Sequence, residues 1–186
     1  MSDIITELPR MVVHAAKAEL YSTGAVPRPQ VHLLSGNPDQ PYFGYLVCRR
    51  FYRGADAAAA ITELGALPSA MRSNRLVVFW EHNDLSTALE LGGGPFPMAL
   101  TLVEATLDQY ILHWHPFDPV PTGRVVDGVP TLRLEWDEPA RYENVPLPEP
   151  ITGLLRRWRE LRGGANSVAL HLEEHGYEFN RVVRSR

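Results

Sequence analysis

This sequence of 186 residues has one cysteine, one lysine and no long apolar run. The single cysteine, Cys48, excludes an internal disulfide, and its apolar neighbours predict that it is a buried core residue. A membrane span needs about 20 consecutive apolar residues, and no such run occurs. The first thirty residues carry acids at Asp3 and Glu7 and lack the pattern of a secretory signal. These features predict a cytoplasmic protein.

The basic residues are almost all arginine, since Lys17 is the only lysine beside seventeen arginines. This bias, in a chain rich in alanine, glycine and proline, is typical of a GC-rich bacterial genome. The formal net charge of −4 argues against a general nucleic-acid binder, because phosphate neutralisation requires an excess of Lys and Arg. We therefore expect neither nucleic acid nor a membrane as a partner.

Length and composition predict a single domain over residues 1–186, since 45% hydrophobic residues can fill one core without a disulfide or a metal. Apolar spacing predicts helices over residues 3–22, 57–66, 84–91 and 150–161. Apolar runs and alternation predict strands over residues 31–35, 42–52, 76–80, 98–107, 109–115, 131–136, 168–173 and 177–183. This order predicts an α/β (α+β) protein, in which a mixed β-sheet is flanked by helices and the chain ends with a helix and a β-hairpin.

The segment 116–150 contains eight of the sixteen prolines, so we expect no long regular element there apart from one short strand. We interpret the segment as an ordered, proline-rich excursion over the surface. It is not expected to be a linker, because Trp136 and its apolar neighbours need something to pack against.

The first seven predicted elements have a layout similar to that of the cytidine-deaminase-like folds, in which zinc ligands lie at the starts of the second and third helices. At those positions this chain has Gly54-Ala55-Asp56-Ala57 and Glu81-His82-Asn83-Asp84. Neither string contains the His or Cys and the Pro-Cys-x-x-Cys of such enzymes. The resemblance therefore concerns the layout of about the first 115 residues and does not predict deaminase chemistry.

Two histidines, His113 and His115, share one face of a predicted strand and could bind zinc together. The string His113-Trp114-His115-Pro116 resembles the His-x-His-Pro of the JAMM metalloproteases, which implies an upstream Glu as general base and a downstream Asp as third ligand. Asp127 lies one position farther from the two histidines than the third ligand of that family does, and the Ser expected between the histidines and the Asp is absent. The alternative is a pair of histidines on the solvated face of an edge strand.

Three predicted strands end in a Trp that is followed by ionisable residues. If these strand ends lie together, they form a polar cluster beside aromatic walls, which is the composition of a ligand pocket. The candidate ligand-binding residues are Trp80, Glu81, His82, Asp84, Trp114 and Trp136. The alternative is structural, because Trp is common where a strand leaves the core.

The C-terminal region offers two further patterns. Its arginines, at positions 156, 157, 159, 162, 181, 184 and 186, could bind an anion or a nucleotide, or could simply keep the surface soluble. His171 and His175 lie in a predicted strand, where their separation is about 13 Å, so we expect no metal pair there.

No motif of high specificity for catalysis occurs, so we predict a non-catalytic binding or regulatory protein that acts through protein–protein contacts and needs no cofactor. The expected partner is another protein or a second copy of the chain, with a homodimer favoured. The edges of the terminal hairpin and the surface of residues 116–150 are the expected contact regions. The alternative is a zinc hydrolase that uses His113 and His115, with Glu81, Asp84 or Asp118 as third ligand or base.

Overall fold

A computed structural model describes residues 4–182. The helices are α1 (Ile4–Thr23), α2 (Ala55–Glu63), α3 (Ala66–Ala70), α4 (His82–Ala88), α5 (Glu149–Arg159) and α6 (Ala165–Glu174). The strands are β1 (Gln30–Leu34), β2 (Tyr42–Val47), β3 (Arg75–Glu81), β4 (Ala99–Thr106), β5 (Tyr110–Val126), β6 (Val129–Trp136), β7 (Ala140–Glu143) and β8 (Glu178–Arg181). Within residues 4–182, no helix is both long and apolar enough to cross a membrane.

All eight strands belong to one sheet, in which seven lie in the order β6-β5-β4-β3-β1-β2-β8 and β7 pairs with β5. The long strand β5 pairs with β7 along its first half and with β6 along its second half. Every pairing in the described part of the chain is antiparallel. The predicted class, an α+β protein with a sheet flanked by helices, is confirmed.

The resemblance to the deaminase layout is not confirmed. A strand–helix–strand segment usually joins two parallel strands. Here Glu81 at the end of β3 pairs with Leu100 at the start of β4, so α4 and the loop after it return the chain to the same end of the sheet. The two strands are therefore antiparallel.

The sheet separates two hydrophobic cores, because alternate side chains of each strand point to opposite faces. On one face, Val77 and Phe79 of β3 pack with the apolar side of α1. On the other face, Val78 and Trp80 pack with helices α2 and α5. Strand β3 is thus covered on both faces, as its continuous apolar run predicts. Cys48 is fully buried in the second core, as expected, and burial raises its pKa to about 12.

The expectation that residues 116–150 contain no long regular element is wrong, because β5 and β6 form a long hairpin there. Phe117 donates its N–H to Met98 at the β4 edge of β5, and every second residue faces the same edge. Pro119 and Pro121 therefore face the same edge, at a point where β4 has not yet begun. No strand there needs an N–H donor, so the lack of an N–H group in proline costs no hydrogen bond of the sheet. The prolines are tolerated because this edge is free.

We call residues 117–136 the arm. Its two strands are joined at Asp127 and Gly128, which have φ angles of 50° and 79°. Positive φ at both positions gives the type I′ turn that joins tightly paired strands, and the sequence Asp-Gly favours this turn. The pairs Val126–Val129 and Phe117–Trp136 mark the tip and the base of the arm.

The predicted strand over residues 168–173 is also wrong, since this segment is helix α6. Ala169 and Leu172 are buried whereas Leu170 is exposed, which is a helical pattern of burial, not an alternating one. The predicted terminal hairpin therefore does not form, and β8 instead pairs with β2 at the edge of the sheet. The predicted last strand extends to residue 183, which lies outside the described residues.

Candidate functional site

A cleft of about 500 Å³ lies between α1 and the face of the sheet formed by β4 and β5. Polar side chains come from both sides of it. The helix contributes Thr6, Arg10, His14 and Lys17, and the strands contribute Glu104, His113 and His115. We call this the α1 cleft.

The two histidines of β5 face the α1 cleft together, in agreement with the strand alternation. His113 pairs with Leu102 and His115 pairs with Leu100 across the β4–β5 ladder. Directly opposite residues share a face, and both leucines belong to the core beneath α1. The sequence pattern therefore predicts their common orientation correctly.

His113 contacts a carboxylate inside the cleft. Its Nε2 atom lies 2.7 Å from Oε1 of Glu104. The approach is close but lacks the geometry of a hydrogen bond from this ring nitrogen, so the contact is an ion pair only when the imidazole is protonated. Glu104 and His113 are therefore direct neighbours within the cleft.

Lys17 lies at one end of the cleft with its ammonium group 3.9 Å from the centre of the Trp136 ring. This distance is within the range of a cation–π interaction. Burial lowers the pKa of Lys17. Burial also lowers the pKa of His115, and the charges of Lys17 and His113 lower it further, which favours the neutral imidazole.

The metal ligands proposed from the sequence do not converge on His113 and His115. Glu81 and Asp84 line a different, smaller cavity beside Arg28, and Asp118 is exposed on the arm. Within residues 4–182, no group of three or more His, Cys, Asp or Glu side chains is arranged to hold a metal ion. In the described residues, the predicted zinc hydrolase therefore has His113 and His115 but no third protein ligand for the metal.

Glu81 has a structural role at the start of α4. Its side chain accepts hydrogen bonds from the backbone N–H of Asp84 at 2.6 Å and from that of Ala99 at 2.9 Å. The first bond caps the helix, and the second ties it to β4. Burial raises the pKa of Glu81, while these N–H groups act in the opposite direction.

The candidate ligand-binding residues fall into two groups. Trp80 is buried in the second core, and the ring of His82 lies 4.9 Å from that of Trp114 in an edge-to-face contact. Trp136 lies at the base of the arm on the face covered by α1, where its ring centre is 4.9 Å from that of Phe117. The three Trp-ended strands therefore do not form a common pocket, and binding at either group stays a prediction.

The arm is the second notable feature, because one of its faces is apolar and exposed. On β6 the side chains of this face belong to Pro130, Leu132, Leu134 and Trp136, and their partners on β5 include Pro119 and Pro121. The opposite face carries Asp118, Arg133 and Glu135, of which the last two form an ion pair. Leu132 is 58% exposed, so the apolar face continues beyond the cover of α1.

The sequence interpretation missed Glu104 and Lys17. Arg10, His14 and Lys17 recur at helical spacing on α1, next to its apolar stripe. This pattern could have indicated a polar site beside the helix. Glu104 continues the alternation of Leu100 and Leu102, so the predicted hairpin places it on the histidine face once the register is known.

The C-terminal arginines do not form one patch in the described part of the chain. Arg157 pairs with Glu63 at 3.0 Å, Arg162 pairs with Glu160 at 2.7 Å, and Arg159 donates to the carbonyl of Thr106. Positions 184 and 186 lie outside the described residues.

Comparisons of the chain with models of known families, with curated proteins and with solved structures find no match.

Proposed function

We propose that this protein acts by binding, without catalysis, and that the arm is the surface through which two copies of the chain associate. The observation that carries the proposal is the exposed apolar face of the arm, with Leu132 at 58% exposure beside Pro119 and Pro121. A continuous apolar face that projects from a folded chain is typical of a protein contact surface.

The arm is anchored well enough to present this face in a fixed direction. Phe117 is buried in the core beneath α1, and Trp136 packs against it. The Trp136 Nε1–H donates a hydrogen bond of 2.7 Å to the hydroxyl of Tyr21 on α1. A surface that is already ordered loses less conformational freedom when it binds.

The second copy is the occupant that the charges favour. The apolar face of the arm carries no ionisable side chain, so two such faces can meet without repulsion between like charges. The charged residues lie on the opposite face, where Arg133 and Glu135 already neutralise one another. An arm-to-arm contact therefore buries apolar surface and leaves these charges in water.

Analytical ultracentrifugation tests the association. The wild-type chain is expected to sediment as twice its mass of 20.9 kDa. Leu132→Asp is expected to sediment as a single chain, because it places a charge in the centre of the contact. Leu170→Asp is a matched control, since Leu170 is 59% exposed on α6, away from the arm.

The results separate self-association from other occupants. A dimeric wild type, a monomeric Leu132→Asp and a dimeric Leu170→Asp support the proposal, provided that circular dichroism shows all three folded. A wild type that is monomeric at high micromolar concentration overturns it, as does a Leu132→Asp variant that remains dimeric.

The alternative function, a zinc hydrolase, has one supporting observation: His113 and His115 face the same cleft. Elemental analysis of untagged protein purified without chelator tests it. About one zinc per chain, lost in His113→Ala, would support the hydrolase and would overturn the proposal of a protein without catalysis. Wild-type protein free of zinc would remove this alternative.

A further inference from the structure

We infer that the α1 cleft binds a small organic monocarboxylate, with the ammonium group of Lys17 as its ionic partner. The cleft adjoins the base of the arm, where Lys17 contacts Trp136, but no residue of the arm lines it. The inference therefore does not depend on the self-association proposed above. It rests on the charge, the shape and the hydrogen-bonding groups of the cleft.

The charge of the lining favours a single negative charge. Two basic side chains, Arg10 and Lys17, and one carboxylate, Glu104, line the cleft. Glu104 lies beside the His113 ring, and Arg10 pairs with Glu7 at the rim. Lys17 has no carboxylate within ion-pair distance in the described part of the chain, and it is already half-buried. A bound carboxylate would supply the missing counter-charge.

The shape of the cleft suits an anion that has an apolar body. Its volume of about 500 Å³ is in the range of small-molecule sites. Pro9, Val13, Leu102 and Pro139 form apolar walls between the polar groups. The carboxylate would contact Lys17 while its hydrocarbon part lies against these walls.

His115 gives the site a hydrogen-bond donor without adding a second full positive charge. Burial, Lys17 and His113 all lower the pKa of His115, so its neutral imidazole can donate one N–H to a carboxylate oxygen. A phosphate dianion would need more positive charge than one unmatched lysine provides. The site therefore favours a carboxylate over a phosphate.

The single lysine allows a direct test. Reductive methylation with ¹³C-formaldehyde labels Lys17 and the N-terminal amine alone, and the methylated lysine keeps its charge. Butyrate, hexanoate, benzoate and phenylacetate are titrated in turn and the methyl signals are followed by NMR. We expect at least one of these probes to shift the Lys17 signal to saturation, while benzamide, which is neutral, does not.

Isothermal titration calorimetry on unlabelled protein then compares the affinity of the wild type and of matched variants for the best probe. Lys17→Met is expected to weaken the best probe by about tenfold or more, and Lys17→Arg to restore most of the affinity. Arg53→Gln removes one exposed charge from the loop before α2 and is expected to leave the affinity unchanged.

Four results overturn the inference. The first is that no probe binds, and the second is that benzamide binds as well as benzoate. The third is that Lys17→Met keeps the wild-type affinity for the best probe in a variant that is folded by circular dichroism. The fourth is that inorganic phosphate binds more tightly than every carboxylate, which would make the site a phosphate site.

Discussion

His32 is enclosed by two tyrosines in the middle of the sheet. Its Nδ1 lies 2.8 Å from the hydroxyl of Tyr42, and its ring stacks on that of Tyr45 with the ring centres 5.1 Å apart. Burial lowers the pKa of His32 from 6.5 to about 3. The folded protein therefore holds this imidazole neutral at pH values at which the unfolded chain protonates it.

This difference predicts a loss of stability in acid. Below pH 6.5 the unfolded chain binds a proton that the folded chain does not, so the free energy of unfolding falls as the pH falls towards about 3. His32→Phe is expected to make this slope shallower by up to about 1.4 kcal/mol per pH unit. Urea unfolding at a series of pH values measures the slope.

Tyr42→Phe is the control for the prediction on His32, because it removes the hydroxyl partner but leaves the imidazole able to titrate. It is expected to be less stable at every pH and to keep the slope of the wild type. If the free energy of unfolding of His32→Phe depended on pH as steeply as that of the wild type, His32 would not be the group responsible for the loss of stability in acid.

Single residues differ in how far the sequence predicts them. The burial of Cys48 follows from its apolar neighbours. The role of Glu81 does not, because one of its two hydrogen bonds goes to Ala99, which is 18 positions away in the chain. The local sequence can indicate that Glu81 caps α4 at the N–H of Asp84. It cannot indicate that Glu81 also binds the N–H of Ala99 in β4.

The expected separation of about 13 Å between His171 and His175 is wrong, because α6 is a helix and places them one turn apart. The rings of His171 and His175 have centres 4.2 Å apart. The Nδ1 of His175 lies 2.7 Å from the carbonyl oxygen of His171. Because a carbonyl can only accept, Nδ1 is the protonated nitrogen of the neutral ring, and Nε2 then has a free lone pair.

This geometry predicts that the untagged protein is retained on an immobilised copper resin. Two imidazoles at i and i+4 of a helix can share one metal ion, and imidazole suits copper. His175→Ala is expected to elute at a clearly lower imidazole concentration than the wild type. His113→Ala, which alters the other histidine pair, serves as the control, and equal elution of all three proteins would refute the prediction.

The errors at the level of elements have physical causes. Val168, Leu170 and Leu172 alternate as in a strand, yet Ala169 and Leu172 are the residues that the fold buries, and alanine is easily overlooked as an apolar position. In the arm, the prolines argued against long strands, and the turn sequence Asp127-Gly128 was not considered. Whether a proline breaks a strand depends on which edge it faces, and this requires the register.

At the scale of the whole molecule, the inner strands of the sheet connect the two cores, and β3 is the clearest case. Val77 and Phe79 contribute to the core beneath α1, and Val78 and Trp80 to the core beneath α5. The order of the strands was not predictable, since pairing between β2 and β8 depends on segments far apart in the chain. The continuous apolar run of β3 did predict that this strand is central.

Because β3 is shared, we expect the two cores to unfold together. Leu8→Ala in α1 and Leu154→Ala in α5 are each expected to cost about 2–5 kcal/mol, since both leucines are buried. Far-UV circular dichroism and tryptophan fluorescence are expected to give the same urea midpoint in each variant. Two separate transitions in either variant would show that the cores are independent units.

Strand β2 can pair with β8 only after the ribosome has made the segment between them. β2 ends at Val47 and β8 begins at Glu178, so about 130 residues separate them. At roughly 5–20 residues per second, a ribosome needs roughly 7–26 s to make this stretch. Until then the outer edge of β2 has no strand to cover it, and open edges are sites of aggregation. Translation speed should therefore influence the yield of folded protein.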